Sequence, residues 1–217
     1  PEQAPAPLVR TVVTAAQQQA LTPDAVLTDL KAGNERFVSG ALTRFDYLAQ
    51  ADATASGQYP KAVVLSCLDS RVPPEIIFDQ GIGDLFVGRI AGNFEDVGML
   101  GSFEFATKAA GSKLIVVLGH SSCGAIKGAL NDVKLGNLTA TLENFLEVTE
   151  EARAAIDGSD DASNAALVGA VVEGNVRRTV TDILARSPVI AELVESGDVG
   201  IVGGVYDLAT GKVTWLE

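Results

Sequence analysis

The 217-residue chain contains one histidine, two cysteines, one methionine and one tryptophan. Two cysteines allow a single disulfide at most, and a chain of this length can bury a substantial core without one. Basic residues are also scarce, since 28 acids against 16 bases give a net charge of −12. The chain therefore has no basic stripe that could neutralise phosphates, which argues against nucleic acid and anionic membranes as partners. No apolar run approaches the length that a membrane span needs.

Hydrophobic residues make up 47% of the chain, which is typical of a folded globular domain. From residue 61 onward, short apolar runs alternate with stretches of helical periodicity. This alternation predicts a single α/β domain with a mostly parallel sheet of about four strands, flanked by helices on both faces. The predicted strands are Ala62 to Ser66, Asp84 to Arg89, Leu114 to Gly119, Val199 to Tyr206 and an antiparallel edge strand, Val213 to Leu216.

Helices are predicted between these strands and before them. Leu8 to about Ala20 and a second helix capped by Thr22 are expected to form an N-terminal helical arm. Ala41 to Tyr59 is predicted to be a long irregular connection. The remaining helices are predicted at Pro74 to Asp79, Met99 to Ala110, Ala125 to Asn131, Leu138 to Ile156, Asn164 to Ala185 and from Ser187-Pro188 onward. We assign residues 1–21 to a lead and arm helix and residues 22–217 to the α/β domain.

The N-terminus begins with a Pro- and Ala-rich lead and no methionine. Such a lead is expected where a signal peptide has been removed, which favours a periplasmic or secreted protein. A trimmed sequence would begin in the same way, so a cytoplasmic location stays open.

The histidine and both cysteines fall at the predicted ends of two strands. Cys67 follows the first strand directly, and His120 and Cys123 form a His-x-x-Cys pair where the third strand ends. Taken singly, each is more often a buried core residue than a ligand. Together they fit that interpretation poorly, because open α/β sheets bind ligands at the carboxyl ends of their strands. Two thiols and an imidazole are preferred zinc ligands, so we predict one Zn²⁺ per chain.

Three protein ligands leave the fourth position of a tetrahedral zinc open, which is typical of a catalytic site. Asp69 lies two residues beyond Cys67 and is the candidate carboxylate for that position, in competition with water. Arg71 follows two residues later, and an extended chain would point it the same way as Asp69. A guanidinium fork on the carboxylate would hold Asp69 off the metal and leave the position to water.

The Cys-x-Asp-x-Arg run of Cys67, Asp69 and Arg71, followed by the pair His120 and Cys123, resembles the zinc motif of the β-class carbonic anhydrases. The resemblance covers nearly everything from Thr22 to the C-terminus. Within the family, the chain is similar to bacterial members that carry export signals. The resemblance includes Gly83 to Val87, Arg89-x-Ala91-Gly92-Asn93, Gly101 to Phe105 and Gly200 to Gly211.

This resemblance implies a zinc enzyme that hydrates carbon dioxide reversibly to bicarbonate and a proton. A zinc-bound hydroxide would attack, oriented by Asp69 and Arg71. The resemblance also implies a homodimer or a dimer of dimers. Because His120 would be committed to zinc, the chain has no second histidine to shuttle protons.

Four further residues acquire substrate-binding roles by the same resemblance. Gln58 corresponds to the family's substrate-binding glutamine, which typically reaches the site from across the dimer interface. The backbone amide of Gly124 would donate a hydrogen bond to the substrate. Phe86 and Ala91 would line an apolar wall suited to carbon dioxide.

Three alternatives stay open from the sequence. The same scaffold could hydrolyse carbon disulfide or carbonyl sulfide. The zinc could instead stabilise a dimer or a small-anion sensor without catalysis. Finally, Cys67 and Cys123 could act as a redox dithiol pair, which predicts a reversible disulfide and no bound metal.

Overall fold

A computed structural model describes residues 7–216 of the chain. Its central sheet consists of β1 (Ala62–Ser66), β2 (Leu85–Arg89), β3 (Leu114–His120), β4 (Gly200–Tyr206) and β5 (Val213–Leu216). The strands lie in the order β2-β1-β3-β4-β5; the first four are parallel and β5 is antiparallel to β4. The α/β prediction is therefore confirmed, with every strand right to within one residue.

Helices cover both faces of this sheet. Before β1 come α1 (Ala15–Ala20), α2 (Pro23–Val38) and α3 (Tyr47–Thr54), and between β1 and β3 come α4 (Pro74–Ile77) and α5 (Val97–Glu104). A π-helical turn, Phe105–Ala109, continues α5. After β3 follow α6 (Gly124–Leu130), α7 (Gly136–Glu143), α8 (Leu146–Ala155), α9 (Ala165–Arg186) and α10 (Pro188–Glu195). Among residues 7–216, no helix has the length and apolar character required to traverse a membrane.

The strands β1 and β3 are neighbours in the sheet, and every residue of both is buried. Continuous burial follows from helices on both faces, which is why these strands read as unbroken apolar runs. Their register runs from Ala62 opposite Leu114 to Ser66 opposite Leu118. Both strands therefore end at the same edge of the sheet, directly before Cys67 and near His120.

The N-terminal arm lies on the sheet of its own chain. On α2, Val26 and Leu30 are fully buried in the core cluster that includes strand residues of β1 and β3. Asn34, which interrupts the apolar stripe of this helix, donates from Nδ2 to the Gly211 carbonyl at 2.9 Å and accepts from the Val213 N–H at 2.9 Å. The arm is therefore fastened to the sheet by both apolar and polar contacts.

The first predicted helix was too long. Within Leu8 to Ala20, Val9 forms an isolated bridge with Phe45, and α1 begins only after Thr14. The Thr14 hydroxyl accepts from the Gln17 N–H and the Gln17 side chain bonds back to the Thr14 N–H, a capping box that fixes the start of the helix. Residues 1–6 of the predicted lead lie outside the described residues.

Two other predictions were wrong. The segment Ala41 to Tyr59 is not irregular throughout, because α3 forms inside it with the Asp46 carboxylate accepting from the Ala49 N–H at 3.2 Å. The single helix predicted over Leu138 to Ile156 is two helices, α7 and α8. The helix is interrupted between α7 and α8, where the side chain of Phe145 is fully buried in the core.

Candidate metal centre

Cys67, His120 and Cys123 meet at the carboxyl edge of the sheet. Cys67 follows β1, His120 ends β3, and Cys123 is the residue before α6. One ligand atom from each lies within 4.8 Å of the others, and the two sulfurs are 3.9 Å apart. All three side chains are buried. The structure therefore brings together the three zinc ligands predicted from the sequence.

A tight turn between β3 and α6 places His120 and Cys123 side by side. Ser122 adopts a left-handed conformation with φ 55°, which reverses the chain between the two ligands. The Ser121 N–H donates to the Tyr206 carbonyl at 2.9 Å, and the Ser121 hydroxyl accepts from the Leu208 N–H at 2.9 Å. The turn is thereby fixed to the end of β4.

The segment that carries Cys67 is held from the other side, by β2 and the loop after it. The Arg89 guanidinium donates to the carbonyls of Cys67 and Asp69, at 3.0 and 2.5 Å. The Gly92 N–H donates to Cys67 Sγ at 3.3 Å. Arg89 and Gly92 belong to the motif that resembles the family, yet their contacts with the Cys67 segment were not predicted.

His120 shows that the cluster fits a metal. Its Nδ1 lies 3.0 Å from the Ser121 carbonyl oxygen, which can only accept, so Nδ1 carries the proton and Nε2 presents a lone pair. Nε2 is buried and has no hydrogen-bond partner. An unpartnered buried polar atom is costly, and beside two sulfurs a metal ion satisfies it. This donor set of one nitrogen and two sulfurs is typical of zinc.

The two thiols differ strongly in acidity because they lie so close together. The hydrogen bond with Cys123, helped by the Gly92 N–H, outweighs burial and lowers the pKa of Cys67 to about 4. The bond to Cys67 and burial raise the pKa of Cys123. Cys67 is therefore the more acidic of the two thiols, and a bound metal would displace the protons that remain.

Asp69 and Arg71 form the predicted fork beside this cluster. Arg71 donates from Nε to Oδ1 at 2.9 Å and from Nη2 to Oδ2 at 2.6 Å, and its backbone N–H donates to Oδ1 at 3.0 Å. These bonds hold the pKa of Asp69 below its usual range, so the carboxylate stays charged. Asp69 Oδ2 lies 3.9 Å from His120 Nε2. The carboxylate therefore borders the metal position.

Two of the four predicted substrate residues also border the cluster. Gly124 is the first residue of α6, next to Cys123, and a Cβ added there would meet open space. Ala91 is half-buried and precedes Gly92, the residue that contacts Cys67. Gly124 leaves room for a small molecule near the ligands.

The other two lie away from the cluster of their own chain. Gln58 is exposed in the loop before β1, at the opposite end of that strand from Cys67. Phe86 pairs with Val63 on β1, and its ring packs edge-on against Phe105 with centroids 6.0 Å apart. The roles predicted for Gln58 and Phe86 stay predictions.

The carbonic anhydrase family model matches residues 62–213, which include β1 to β4 and all three candidate ligands. The chain belongs to the carbonic anhydrase family. Carbonic anhydrase 2 of Mycobacterium tuberculosis is 41% identical, with 88% of this chain and 91% of that protein covered. The structure of a β-carbonic anhydrase of Aspergillus fumigatus matches at 25% identity and a TM-score of 0.72, covering 89% of this chain and 90% of that one.

A third match sharpens the class within the carbonic anhydrases. The structures of two tetrameric β-carbonic anhydrases of Sordaria macrospora include a chain that matches at 28% identity with a TM-score of 0.66. The match covers 77% of this chain and 89% of that one. These similarities place this carbonic anhydrase in the β class, as its zinc motif predicted.

Proposed function

We propose that this β-class carbonic anhydrase hydrates carbon dioxide reversibly to bicarbonate and a proton, with one Zn²⁺ per chain. The observation that carries the proposal is the buried cluster of Cys67, His120 and Cys123, in which the unpartnered Nε2 faces two sulfurs. Cys67 Sγ, His120 Nε2 and Cys123 Sγ would hold the metal. When bound, zinc supplies the Lewis acidity that lowers the pKa of water at an open position toward about 7.

Asp69 is proposed to orient the attacking water. Its charged carboxylate can only accept hydrogen bonds, so a water beside Oδ2 must point a proton toward it and a lone pair elsewhere. Two thiolate ligands cancel the formal charge of the metal and weaken its acidifying effect. The Asp69 carboxylate, whose Oδ2 lies 3.9 Å from His120 Nε2, would give that water a strong acceptor that fixes its orientation.

Arg71 is proposed to decide whether the fourth metal position is open. It engages both oxygens of Asp69, which keeps that carboxylate from turning toward the metal. If the fork opened, Asp69 could become the fourth ligand and close the site. The dyad would thereby set both the orientation of the water and its access.

Carbon dioxide is small and uncharged, so an apolar surface and one or two hydrogen-bond donors suffice to position it. We assign the apolar contact to Ala91 and the donor to the Gly124 N–H, because both border the cluster. Gln58 and Phe86 are proposed to serve a site across a subunit interface.

We also propose a homodimer whose interface includes the free edge of β2. Within residues 7–216, β2 pairs with β1 alone, so one of its edges is free. Beside it, Val97 and Phe105 are 79% and 59% exposed. Free strand edges and apolar patches of this kind are common at protein interfaces. The two Sordaria relatives are tetrameric, and pairing of two such dimers would give the same number of chains.

Subunit complementation tests whether Gln58 acts across the interface. Gln58→Ala and Asp69→Ala chains would be mixed after dissociation and the carbon dioxide hydration rate measured. If Gln58 serves the partner's site, the mixed dimer has one intact site and regains activity that neither variant has alone. No regain would place Gln58 in its own chain's site or outside catalysis.

The proposed function itself is tested by stopped-flow carbon dioxide hydration on protein of measured zinc content, with carbon disulfide hydrolysis assayed in parallel. One zinc per chain with hydration supports the proposal. Zinc without hydration would favour a structural metal, and hydrolysis of carbon disulfide alone would favour the alternative substrate. A Cys67–Cys123 disulfide in protein without metal would favour the dithiol alternative.

A further inference from the structure

Gly92 connects the candidate metal centre to the long helix α9. Its N–H donates to Cys67 Sγ at 3.3 Å, and its carbonyl accepts from Asn175 Nδ2 at 2.8 Å. Asn175 lies on α9, 83 residues away in sequence. The Asn175 side chain is therefore two hydrogen bonds from a zinc ligand.

The conformation of Gly92 cannot by itself fix the direction of its N–H. Gly92 has φ +85°, and an added Cβ would lie 2.3 Å from Phe145 Cζ, so only glycine fits. Glycine populates positive and negative φ about equally, so external contacts must select one. The neighbouring Asn93 is also left-handed, with φ 45°. The loop thus needs an anchor, and Asn175 bonds to it from the core.

Asn175 is itself held by the packing of α9 on the sheet. The residue is 3% exposed, and its neighbour Val176 is fully buried. A Cβ added at Gly119 on β3 would lie 2.6 Å from Val176 Cγ2, which shows how closely the helix approaches the strand. Gly119 precedes His120. The same part of α9 therefore packs against β3, which carries His120, and bonds to the loop of Gly92, which donates to Cys67.

We infer that Asn175 is a positioning residue for the metal centre, which rests on the proposed zinc site. It fixes the Gly92 carbonyl, and this keeps the Gly92 N–H aimed at Cys67 Sγ. A hydrogen bond to a ligating sulfur orients it and draws charge from it, which tunes the bond to the metal. The Asn175 side chain reaches the metal centre through its hydrogen bond to the Gly92 carbonyl, so it acts through Gly92.

The test replaces Asn175 with leucine, which has a similar shape but no donor. Loss of such an outer contact typically weakens metal binding about 10- to 100-fold, and we expect that range for zinc in a chelator competition. Cobalt-substituted protein gives a second readout besides activity. Its thiolate-to-cobalt absorption band should shift, because the Cys67 sulfur loses a hydrogen bond.

Asn34→Leu is the matched control. Asn34 is also a buried asparagine, 5% exposed, and its Nδ2 donates to a glycine carbonyl, that of Gly211 at 2.9 Å. It lies on α2, whose buried hydrophobic residues Val26 and Leu30 belong to a core cluster that contains none of the ligands. Both leucine variants should lower the melting temperature of the apoprotein, and only Asn175→Leu should change zinc affinity and the cobalt band. Asn175→Ser, whose hydroxyl is too short for the bond, is the milder variant if leucine prevents folding.

Unchanged zinc affinity and an unchanged cobalt band in both Asn175 variants would overturn the inference, as would an equal change in Asn34→Leu. These outcomes leave the proposed function intact, because the wild-type protein would still bind zinc and hydrate carbon dioxide. A wild-type chain that binds no zinc would overturn both.

Discussion

The two halves of the candidate metal centre are built in different ways. His120 and Cys123 are three residues apart and are placed by one strand-to-helix turn with a left-handed Ser122. Cys67 is 56 residues from Cys123, and contacts from β2 and the loop after it hold its segment. The first half is therefore set by local backbone geometry, whereas the second depends on residues distant in sequence.

This difference shows where the site can be weakened without touching a ligand. The turn of His120 and Cys123 is anchored to the end of β4 by backbone atoms and one serine hydroxyl. The Cys67 half relies on the Arg89 side chain and on Gly92, whose conformation other residues must hold. Outer contacts matter more for this half because no single turn links Cys67 to a second ligand.

Removing a ligand from the local half should have the largest effect. His120→Ala leaves two sulfurs, and we expect zinc content to fall from about one per chain to near zero. Catalysis would then lose the whole enhancement that depends on the metal, on the order of 10⁶-fold. Metal analysis and stopped-flow hydration measure both quantities. Retained zinc together with retained activity would contradict the assignment of His120 as a ligand.

Asp69→Asn should lower activity while zinc stays bound. The amide keeps the shape of the carboxylate but loses its charge, so it no longer offers the water a charged acceptor. Losing such a contact typically costs about 10²- to 10⁴-fold in rate. Zinc content near that of the wild type distinguishes this role from a structural one. A comparable loss of zinc would instead show that Asp69 chiefly supports the metal site.

Gly92→Ala directly tests the Cys67 half of the metal centre. The new Cβ would clash with Phe145 and force the residue out of its left-handed conformation, so the N–H should turn away from Cys67. We expect zinc affinity to fall about 10- to 100-fold, measured by chelator competition. Gly169→Ala is the control, because this exposed α9 glycine has open space at its Cβ position and alanine should stabilise the helix by up to about 1 kcal/mol. Equal zinc affinities in the two variants would contradict the account.

The hydration rate of the wild-type protein should change with pH by less than it changes in these variants, about tenfold. Hydration is expected to rise between about pH 7 and 9, the range in which water at a zinc ion titrates. Asp69 cannot cause this rise, because Arg71 holds its pKa below the usual value. Asp69→Asn should therefore still show a rise with pH over this range, at reduced activity. A wild-type rate that is flat across this range would sink the expectation.

The lowered pKa of Asp69 also predicts how the stability of the folded protein changes with pH. A carboxylate with a lower pKa in the folded state stabilises it above the unfolded pKa of about 3.9, and this contribution is lost as pH falls. Arg71→Ala should therefore reduce stability at neutral pH, by an amount that shrinks as the pH falls below about 3.9. Thermal melts of the apoprotein at several pH values measure the difference.

The strands and the ligands could be predicted because their signals are local. Strands buried on both faces, such as β1 and β3, appear as unbroken apolar runs, and His-x-x-Cys at a strand end is a compact pattern. The helix α3 was missed because it is largely exposed, with Gln50 as its one buried residue, so it has no apolar stripe. The interruption between α7 and α8 was missed because Phe145, which lies between the two helices, is buried in the core like the apolar residues of a helix.

The outer contacts of the site could not be predicted, because they join distant residues. Arg89 contacts the Cys67 segment from a neighbouring strand, and Asn175 contacts Gly92 across 83 residues. The one available signal was the Gly92-Asn93 pair, since both residue types favour a left-handed turn. That pair indicates a tight loop but does not say which atoms the loop faces.

Zinc titration of the apoprotein, with carbon dioxide hydration measured at each addition, tests the central claim most directly. The account predicts that activity rises in proportion to bound zinc and levels off at one zinc per chain. Activity in the metal-free protein, or full zinc occupancy without hydration, would contradict it.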